Sequence, residues 1–368
     1  MGESSDILIV GGGIAGLSLA AAIGNRASVR LLEQENTLAY HTSARSARQM
    51  QPSYGPEPVR ILTELSISLV RRIEQQIDDS LLKPRPLYWL ALGDPAELQP
   101  LLASIPGLRE VPASEPGRQM PILRSGLITG ALLDPAAQEV NVPRLLAWYE
   151  ERARTRGVAI ETGTRAVELV HRTDGWAVHT ADGRVYTTRL LVDAAGSWAD
   201  TVAGLAGTVR RGLVPLRRTV AVLRIGAPID PEWPMVSDAG GLIYFRPDGD
   251  HLLASPMEDI PDEPHDAKPV HEVVEEAAAR TRRLITPTVE IVGSWTGLRT
   301  QSTDGVPVVG FDPALPDFFW LTGQSGYGIQ TSASFGMLAA AAILDQPVEV
   351  SDEAAAAFAS LSPRRLTG

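Results

Sequence analysis

The chain has 368 residues, 44% hydrophobic and 21% charged, a balance that predicts a folded protein of two domains and excludes a disordered one. It contains no cysteine, which excludes disulfides, thiolate metal sites and cysteine nucleophiles, so we assign no metal ligands and expect a cofactor to supply any redox chemistry. The net charge of −11 disfavours nucleic acid as a partner and favours a small-molecule substrate.

The N-terminal residues MGESSD carry neither a basic start nor an apolar signal core. No apolar run approaches the roughly 20 residues needed to cross a bilayer. We therefore expect no transmembrane segment and a cytoplasmic location.

The chain opens with a strand, a helix and a second strand. Residues 6–10 form an apolar run of strand type, small and branched residues continue from Ile14 toward Gly24 as a helix, and Val29 to Leu32 form the next strand. This unit of about 30 residues has the size of one βαβ element.

The later helices and strands are predicted from the period of the hydrophobic residues and from turn residues. Residues 81–138 are rich in proline and are predicted to form loops and short strands. The predicted helices are 142–156, 270–284, 328–344 and one in the tail. The predicted strands are 159–161, 166–171, 176–180, 218–225, 242–246 and 251–255. The pattern indicates an α/β protein with an additional mixed sheet of α+β type.

A glycine fingerprint lies between the first strand and the first helix. Gly11, Gly13 and Gly16 satisfy G-x-G-x-x-G, which permits a tight turn, a close approach of the backbone to a pyrophosphate, and close packing of helix on strand. The helix N-terminus favours the anion. Glu33, twenty residues after Gly13, ends the second strand where a carboxylate can bind a ribose diol. This pattern predicts a dinucleotide site but does not distinguish NAD from FAD.

Two distant segments favour FAD. Residues 190–198 (LLVDAAGSW) form an apolar strand that ends in small residues, and 323–331 (GQSGYGIQT) form a second glycine-rich loop before a helix. The second loop can direct backbone N–H groups at the anionic end of an isoalloxazine ring.

In these motifs the sequence resembles the D-amino acid oxidase (DAO) family of flavoenzymes. Within that family it resembles the bacterial D-arginine dehydrogenase branch. Matches run along the whole chain. Besides the fingerprint, they are the segments 40–47 (YHTSARSA), 54–55, 84–86 (PRP), 193–196 (DAAG), 217–218, 244, 295–299 (WTGLR), 326–332 (GYGIQTS) and 361–365.

The resemblance implies a Rossmann-like FAD-binding domain and a substrate domain with a mixed β-sheet. The expected boundaries are 1–80 with 140–212 and 297–368 for the first, and 81–139 with 213–296 for the second. It also implies hydride transfer from the carbon bearing an amine to flavin N5, giving an imine that hydrolyses to a keto acid and ammonia. Without cysteine, the FAD is expected to be non-covalent.

The residues that the motifs and the resemblance together assign to the cofactor are Gly11, Gly13, Ile14, Ala15, Gly16, Glu33, Gln34, Thr42, Ser43, Ser46, Ala47, Arg48, Val167, Ala195, Gly196, Trp198, Gly297, Gly326, Tyr327, Gly328, Ile329 and Gln330.

For the substrate, the resemblance assigns Arg218 and Arg299 to the carboxylate, since arginine offers two parallel donors. Tyr244 is expected to add a hydroxyl, and Tyr54 to close over the substrate. Arg217 belongs to the opposite face of the strand from Arg218, so we expect only one of the two in the pocket.

Two departures from the D-arginine branch bear on the substrate. Leu87 stands where that branch has an acid for the guanidinium, and Tyr88 and Trp89 follow it, so this edge of the pocket is expected to be apolar. Gln49 replaces a histidine, can only form hydrogen bonds, and has Gln51 two residues further on. These changes favour neutral or hydrophobic D-amino acids as substrates.

The electron acceptor and three alternatives stay open. Because the only lysines, Lys83 and Lys268, lie in proline-rich loops, we favour a dehydrogenase that uses a quinone or another carrier, with oxygen as the alternative acceptor. Oxidation of N-alkylated or cyclic amino acids fits the same carboxylate site. A flavin monooxygenase and a non-catalytic flavin-binding module are the remaining hypotheses.

Overall fold

The structure is a computed structural model that describes residues 3–366. Its strands are β1 (Glu3–Val10), β2 (Val29–Leu32), β3 (Gln49–Met50), β4 (Leu82–Pro84), β5 (Leu87–Ala91), β6 (Arg109–Val111), β7 (Gly130–Asp134), β8 (Gln138–Val140), β9 (Ala159–Glu161), β10 (Ala166–Arg172), β11 (Gly175–Thr180), β12 (Val185–Asp193), β13 (Val214–Ile225), β14 (Met235–Asp238), β15 (Tyr244–Asp248), β16 (His251–Ser255), β17 (Ile260–Pro261), β18 (Val289–Gln301), β19 (Val308–Phe311) and β20 (Phe318–Thr322). The helices are α1 (Ile14–Ile23), α2 (Glu57–Glu74), α3 (Gln99–Ser104), α4 (Glu115–Gln119), α5 (Val142–Thr155), α6 (Ala199–Ala206), α7 (His271–Leu284), α8 (Gly328–Ile343) and α9 (Asp352–Ala359).

The first large sheet carries the predicted βαβ unit. Its order is β10-β11-β12-β1-β2-β9, with β20 on β12 and β19 on β20. Strands β12, β1, β2 and β9 are parallel, as right-handed crossovers through helices produce. Helix α1 is apolar on nearly every side because it lies in the core, packed against α5 and α8.

The second large sheet has nine strands in the order β17-β13-β16-β15-β14-β5-β7-β6, with β18 on β13. The long strands β13 and β18 pair antiparallel from Val214↔Gln301 to Ile225↔Val289. Successive side chains of β5 point to opposite faces of the sheet and pack in two different cores. Tyr88 and Leu90 pack in the cluster that includes α7, and Leu87 and Trp89 pack on the other face.

A third, three-stranded sheet has the order β3-β8-β4. The predicted α/β fold with an additional mixed sheet is confirmed, and most predicted elements agree with the observed ones to within a few residues. The sequence patterns predict neither α2 nor β14. The domain boundaries stay a prediction, although each large sheet draws its strands from different stretches of chain. Within residues 3–366, no helix is long and apolar enough to cross a membrane.

Candidate active site

The fingerprint loop joins β1 to α1, and its three glycines have different surroundings. Gly11 has a φ of +110°, and a Cβ there would lie 2.4 Å from the Ala194 carbonyl oxygen. A Cβ on Gly16 would lie 2.0 Å from the Gly11 oxygen. At Gly13 a Cβ would meet only Ser43 Oγ, at 3.2 Å, because this glycine faces an open cleft. Gly11 and Gly16 therefore form the turn, and Gly13 leaves room beside the helix N-terminus.

The acid at the end of β2 lies in the wall of the same cleft. Glu33 accepts hydrogen bonds at 2.8 Å from the N–H groups of Gly12 and Glu35. Burial raises the pKa of Glu33, while these two N–H groups lower it. A carboxylate has about four acceptor positions, so two remain for hydroxyl donors such as a ribose diol.

The cleft consists of two connected cavities that meet at the N-terminus of α1, where Ser43 Oγ accepts from Ile14 N at 2.9 Å. The first, of about 410 Å³, extends from Glu33 to Trp198, and the second, of about 170 Å³, extends to Arg299. An elongated cleft with a helix N-terminus at its middle fits a nucleotide, a pyrophosphate and a ring in sequence. The residues present therefore fit FAD.

Most of the predicted cofactor residues line this cleft. They are Gly11, Gly13, Ile14, Ala15, Glu33, Gln34, Thr42, Ser43, Ser46, Ala47, Val167, Ala195, Gly196, Trp198, Gly326, Gly328, Ile329 and Gln330. Their contacts with FAD stay a prediction.

Four others do not line the cleft. Gly16 supports the turn, and Gly297 packs β18 against Thr42, since a Cβ there would lie 3.6 Å from Thr42 Cγ2. The Tyr327 ring packs on Tyr54, with 5.1 Å between centroids. The guanidinium of Arg48 turns away to pair with Asp248 at 2.8 Å, so a role for this side chain in holding the cofactor is not supported.

At the far end of the second cavity lies Arg299. Its Nη1 donates to the Tyr54 hydroxyl at 3.4 Å, and no carboxylate within residues 3–366 forms an ion pair with it. Burial lowers the pKa of the guanidinium, but Tyr54, Tyr244 and Asp259 raise it more, so the net direction is upward and the group stays charged. Arg299 is thus a half-buried cation without an ion-pair partner within residues 3–366, and an anion bound in the cavity would neutralise it.

Arg218 lines the same cavity but already has a carboxylate partner. Its Nη2 lies 2.5 Å from Asp259 Oδ1, and its Nε donates to the Glu258 carbonyl at 2.8 Å. Arg217, on the opposite face of β13, pairs instead with Asp262 at 2.6 Å. Of the two arginines predicted to bind the substrate, Arg218 therefore has an ion-pair partner within residues 3–366 and Arg299 has none. The sequence did not reveal this difference.

Three buried polar atoms in the wall of the second cavity have no hydrogen-bond partner among residues 3–366: Gln49 Oε1, the Tyr244 hydroxyl and Gln324 Nε2. The orientation of the Gln49 amide is fixed, because its Nε2 donates to the Arg85 carbonyl at 2.9 Å. Its acceptor is therefore available to a donor such as an amine.

The apolar edge of the pocket differs from the sequence expectation. Leu87 has no exposed surface and does not line the cavity, so its assignment as a substrate contact was wrong. Its neighbour in register on β14, Met235, forms the wall instead, together with Trp89. Tyr88 faces the other core and donates to Glu115 at 2.9 Å.

Sequence reasoning missed other residues that line the second cavity. Met235 and Ser237 lie on β14, a strand that had no clear pattern, and Met257 has a φ of +61° in a loop. Arg45 could have been found, since it stands inside the matched segment 40–47.

Comparison with known proteins gives the family. Residues 6–342 match the DAO family model, described as FAD dependent oxidoreductase. The chain belongs to this family. The resemblance to the family and the prediction of FAD as cofactor are thereby confirmed, whereas the assignment to the D-arginine branch stays a prediction.

Relatives of this DAO-family protein are similar over nearly their whole length. Glycine oxidase of Geobacillus kaustophilus (strain HTA426) is 23% identical over 366 residues, covering 91% of this chain and 92% of that protein. The crystal structure of glycine oxidase from Geobacillus kaustophilus superposes with a TM-score of 0.85 at 22% identity, covering 100% of both chains. The crystal structure of L-proline dehydrogenase from P. horikoshii superposes with a TM-score of 0.86 at 18% identity, covering 99% of this chain and 98% of that chain. At these identities the structures support the fold.

Proposed function

We propose that this DAO-family protein oxidises a neutral amino acid, removing a hydride from the carbon that bears the amine. The observation that carries the proposal is Arg299, a half-buried guanidinium that lines the cavity and has no ion-pair partner within residues 3–366. A substrate carboxylate would neutralise it and accept charge-assisted hydrogen bonds. Glycine oxidase, an amino acid oxidase by its name, is a relative over nine-tenths of the chain.

The other wall groups complement an amino acid bound in this way. The Tyr244 hydroxyl, which lacks a partner, can donate to the carboxylate, and Gln49 Oε1 can accept from the amine. Bound FAD supplies the hydride acceptor. As the hydride leaves the carbon of a neutral amine, the nitrogen lone pair forms the C=N bond of an iminium, and water then hydrolyses this product to a keto acid and ammonium.

The cavity composition favours a neutral side chain. Trp89, Met235 and Met257 form its apolar wall. No aspartate or glutamate from the described part of the chain lines this cavity, so a cationic side chain would lack a counter-ion. The D configuration is part of the proposal and rests on the resemblance to D-amino acid dehydrogenases.

N-alkylated or cyclic amino acids are the second candidate. Their carboxylate would bind Arg299 in the same way, and a secondary amine still offers a donor to Gln49. The fold neighbour whose title names L-proline as substrate is consistent with this class. Turnover of D-leucine, L-leucine, N-methylglycine and L-proline, compared under one condition, separates the two.

For the electron acceptor we favour a quinone or another carrier over oxygen. Lys83 pairs with Glu232 and Lys268 with Asp266, and neither lysine lines the cleft. The cleft therefore has no lysine to promote a reaction with oxygen. Oxygen uptake measured against reduction of a soluble quinone tests this choice, and faster oxygen uptake would reverse it. The cytoplasmic location stays a prediction.

The carboxylate role of Arg299 is tested by substitution. We expect Arg299→Leu to lower kcat/KM for an amino acid by at least about a hundredfold, equivalent to roughly 2.7 kcal/mol, with FAD content unchanged. Arg299→Lys, which keeps the charge and loses the planar fork, is expected to recover part of the loss. Unchanged kinetics in Arg299→Leu would refute the proposal.

A further inference from the structure

An acidic segment directly follows Met257, a residue of the wall of the second cavity. Residues 258–266 (EDIPDEPHD), here termed the acidic strap, follow Met257 and run along β13. Three of its carboxylates pair with arginines: Asp259 with Arg218 at 2.5 Å, Asp262 with Arg217 at 2.6 Å, and Asp266 with Arg45 at 2.5 Å. The strap therefore supplies counter-ions to two arginines of the cavity wall, Arg45 and Arg218.

A charge count in the cavity follows from these pairs. Arg45, Arg218 and Arg299 are the arginines that line it within the described residues. The strap pairs with Arg45 and Arg218, whereas Arg299 forms no ion pair within residues 3–366. One arginine of the lining is therefore outside any ion pair, which matches a ligand with a single carboxylate.

The pairing of Arg218 is held from several sides. Arg218 is 7% exposed, and consecutive strap residues contact it through the Glu258 carbonyl and the Asp259 carboxylate. Glu258 is itself fixed, because its Oε1 accepts from the Thr219 backbone N–H at 2.5 Å. Release of Arg218 to a ligand would require this part of the strap to move.

We propose that Asp259 is a specificity-determining residue, a built-in counter-ion of Arg218 that limits the site to substrates with one carboxylate. The inference rests on the proposed function, in which Arg299 binds that carboxylate. A second anionic group, on the substrate's side chain or on its amine nitrogen, is repelled by the Asp259 carboxylate. Within residues 3–366, no further arginine of the lining is outside an ion pair and available to bind it. Arg218 can still donate a hydrogen bond from Nη1, for which residues 3–366 supply no partner.

The test uses ligands that cannot be oxidised, so it does not depend on turnover. Binding of propionate and of succinate to the FAD-bound protein is measured by calorimetry. In the wild type we expect propionate to bind and succinate to bind no more tightly. In Asp259→Asn the affinity for succinate is expected to rise at least about tenfold more than that for propionate, because removal of one negative charge favours a dianion more strongly.

Two further variants make the result specific. Asp262→Asn removes a charge from the same strap, but its partner Arg217 faces away from the cavity, so the succinate-to-propionate ratio is expected to stay within twofold of the wild type. Asp259→Glu keeps the charge and is also expected to keep the ratio. An unchanged ratio in Asp259→Asn, or an equal shift in Asp262→Asn, would overturn the inference. Failure of propionate to bind the wild type would instead overturn the proposed function.

Discussion

The carboxylate of Glu139 lies 2.5 Å from Nη2 of Arg246, a guanidinium with no exposed surface. The other oxygen of Glu139 pairs with Arg85. Arg246 Nη1 in turn donates to the carbonyls of Ala47 and Arg48, at 3.1 and 3.0 Å, so the second large sheet holds the segment that lines the cleft. Glu139 thus neutralises two arginines on which the position of this segment depends.

We expect Glu139→Gln to lower the free energy of unfolding by about 2 to 4 kcal/mol at pH 7, because it leaves the buried Arg85 without a counter-ion and Arg246 with only Asp248, at 3.7 Å. Urea denaturation at a fixed excess of FAD measures the change. Glu290→Gln is the matched control, since the pair Arg224–Glu290 is exposed on both sides and is expected to contribute less than about 1 kcal/mol.

The same pair predicts a pH dependence. Burial raises the pKa of Glu139, but Arg246 and Arg85 lower it more, so the net direction is below the ordinary value of 4.5. A carboxyl whose pKa is lowered by folding stabilises the protein above its unfolded pKa, and this contribution is lost as the pH falls through the folded pKa. The stability difference between wild type and Glu139→Gln should therefore be full above pH 4.5 and shrink below it. A difference that stays constant down to pH 3 would contradict this account.

The two fingerprint glycines should separate cofactor binding from folding. Gly13→Val places a side chain in the open cleft, so we expect FAD content to fall below about a tenth while the apoprotein unfolds at nearly the wild-type temperature. Gly16→Ala forces a methyl against the Gly11 carbonyl and should lower apoprotein stability by about 1 to 3 kcal/mol. Absorbance of the bound flavin and thermal melting measure both. Full FAD occupancy in Gly13→Val would remove Gly13 from the site.

The apolar wall predicts a preference among side chains. We expect kcat/KM for D-leucine or D-methionine to exceed that for D-arginine by at least about tenfold, equivalent to roughly 1.4 kcal/mol, since the cavity offers no acid to a cation. Trp89→Leu enlarges the cavity and should raise kcat/KM for D-phenylalanine relative to D-alanine. Leu87→Val, two residues away but outside the wall, should leave that ratio unchanged. If the wild-type enzyme preferred D-arginine, the substrate's side chain would have to lie outside the apolar wall formed by Trp89 and Met235.

The absence of a carboxylate, histidine or lysine from the wall, within residues 3–366, predicts the pH profile of catalysis. No Asp, Glu, His or Lys from residues 3–366 lines the second cavity, so the substrate amine must arrive already neutral. We expect kcat/KM to rise about tenfold per pH unit until the pKa of the free substrate's amine, with no inflection between pH 5 and 8. Steady-state rates with two amino acids of different amine pKa measure this. An inflection at the same pH for both would indicate an enzyme base.

Patterns in the local sequence predicted the elements whose structure depends on neighbouring residues along the chain. The βαβ unit, Glu33 and the helix α8 follow from periodicity, glycines and spacing. The ion pair between Arg218 and Asp259 joins residues 41 positions apart through a strap with no helix or strand period, so only tertiary structure reveals it. Leu87 shows a second limit. Alternation predicts the face of a strand on which a side chain lies, but not whether another strand, here with Met235, covers it.

In the proposed function, Arg299 binds the carboxylate of an amino acid whose amine-bearing carbon is then oxidised. Anaerobic stopped-flow mixing with D-leucine and with its decarboxylated analogue 3-methylbutylamine, followed by flavin absorbance, tests it most directly. We predict rapid bleaching by the amino acid and bleaching by the amine at least about a hundredfold slower at equal concentration. Comparable rates for the two compounds would show that Arg299 does not select for a carboxylate, and a panel of D-, L- and N-methyl amino acids that leaves the flavin oxidised would refute amino acid oxidation.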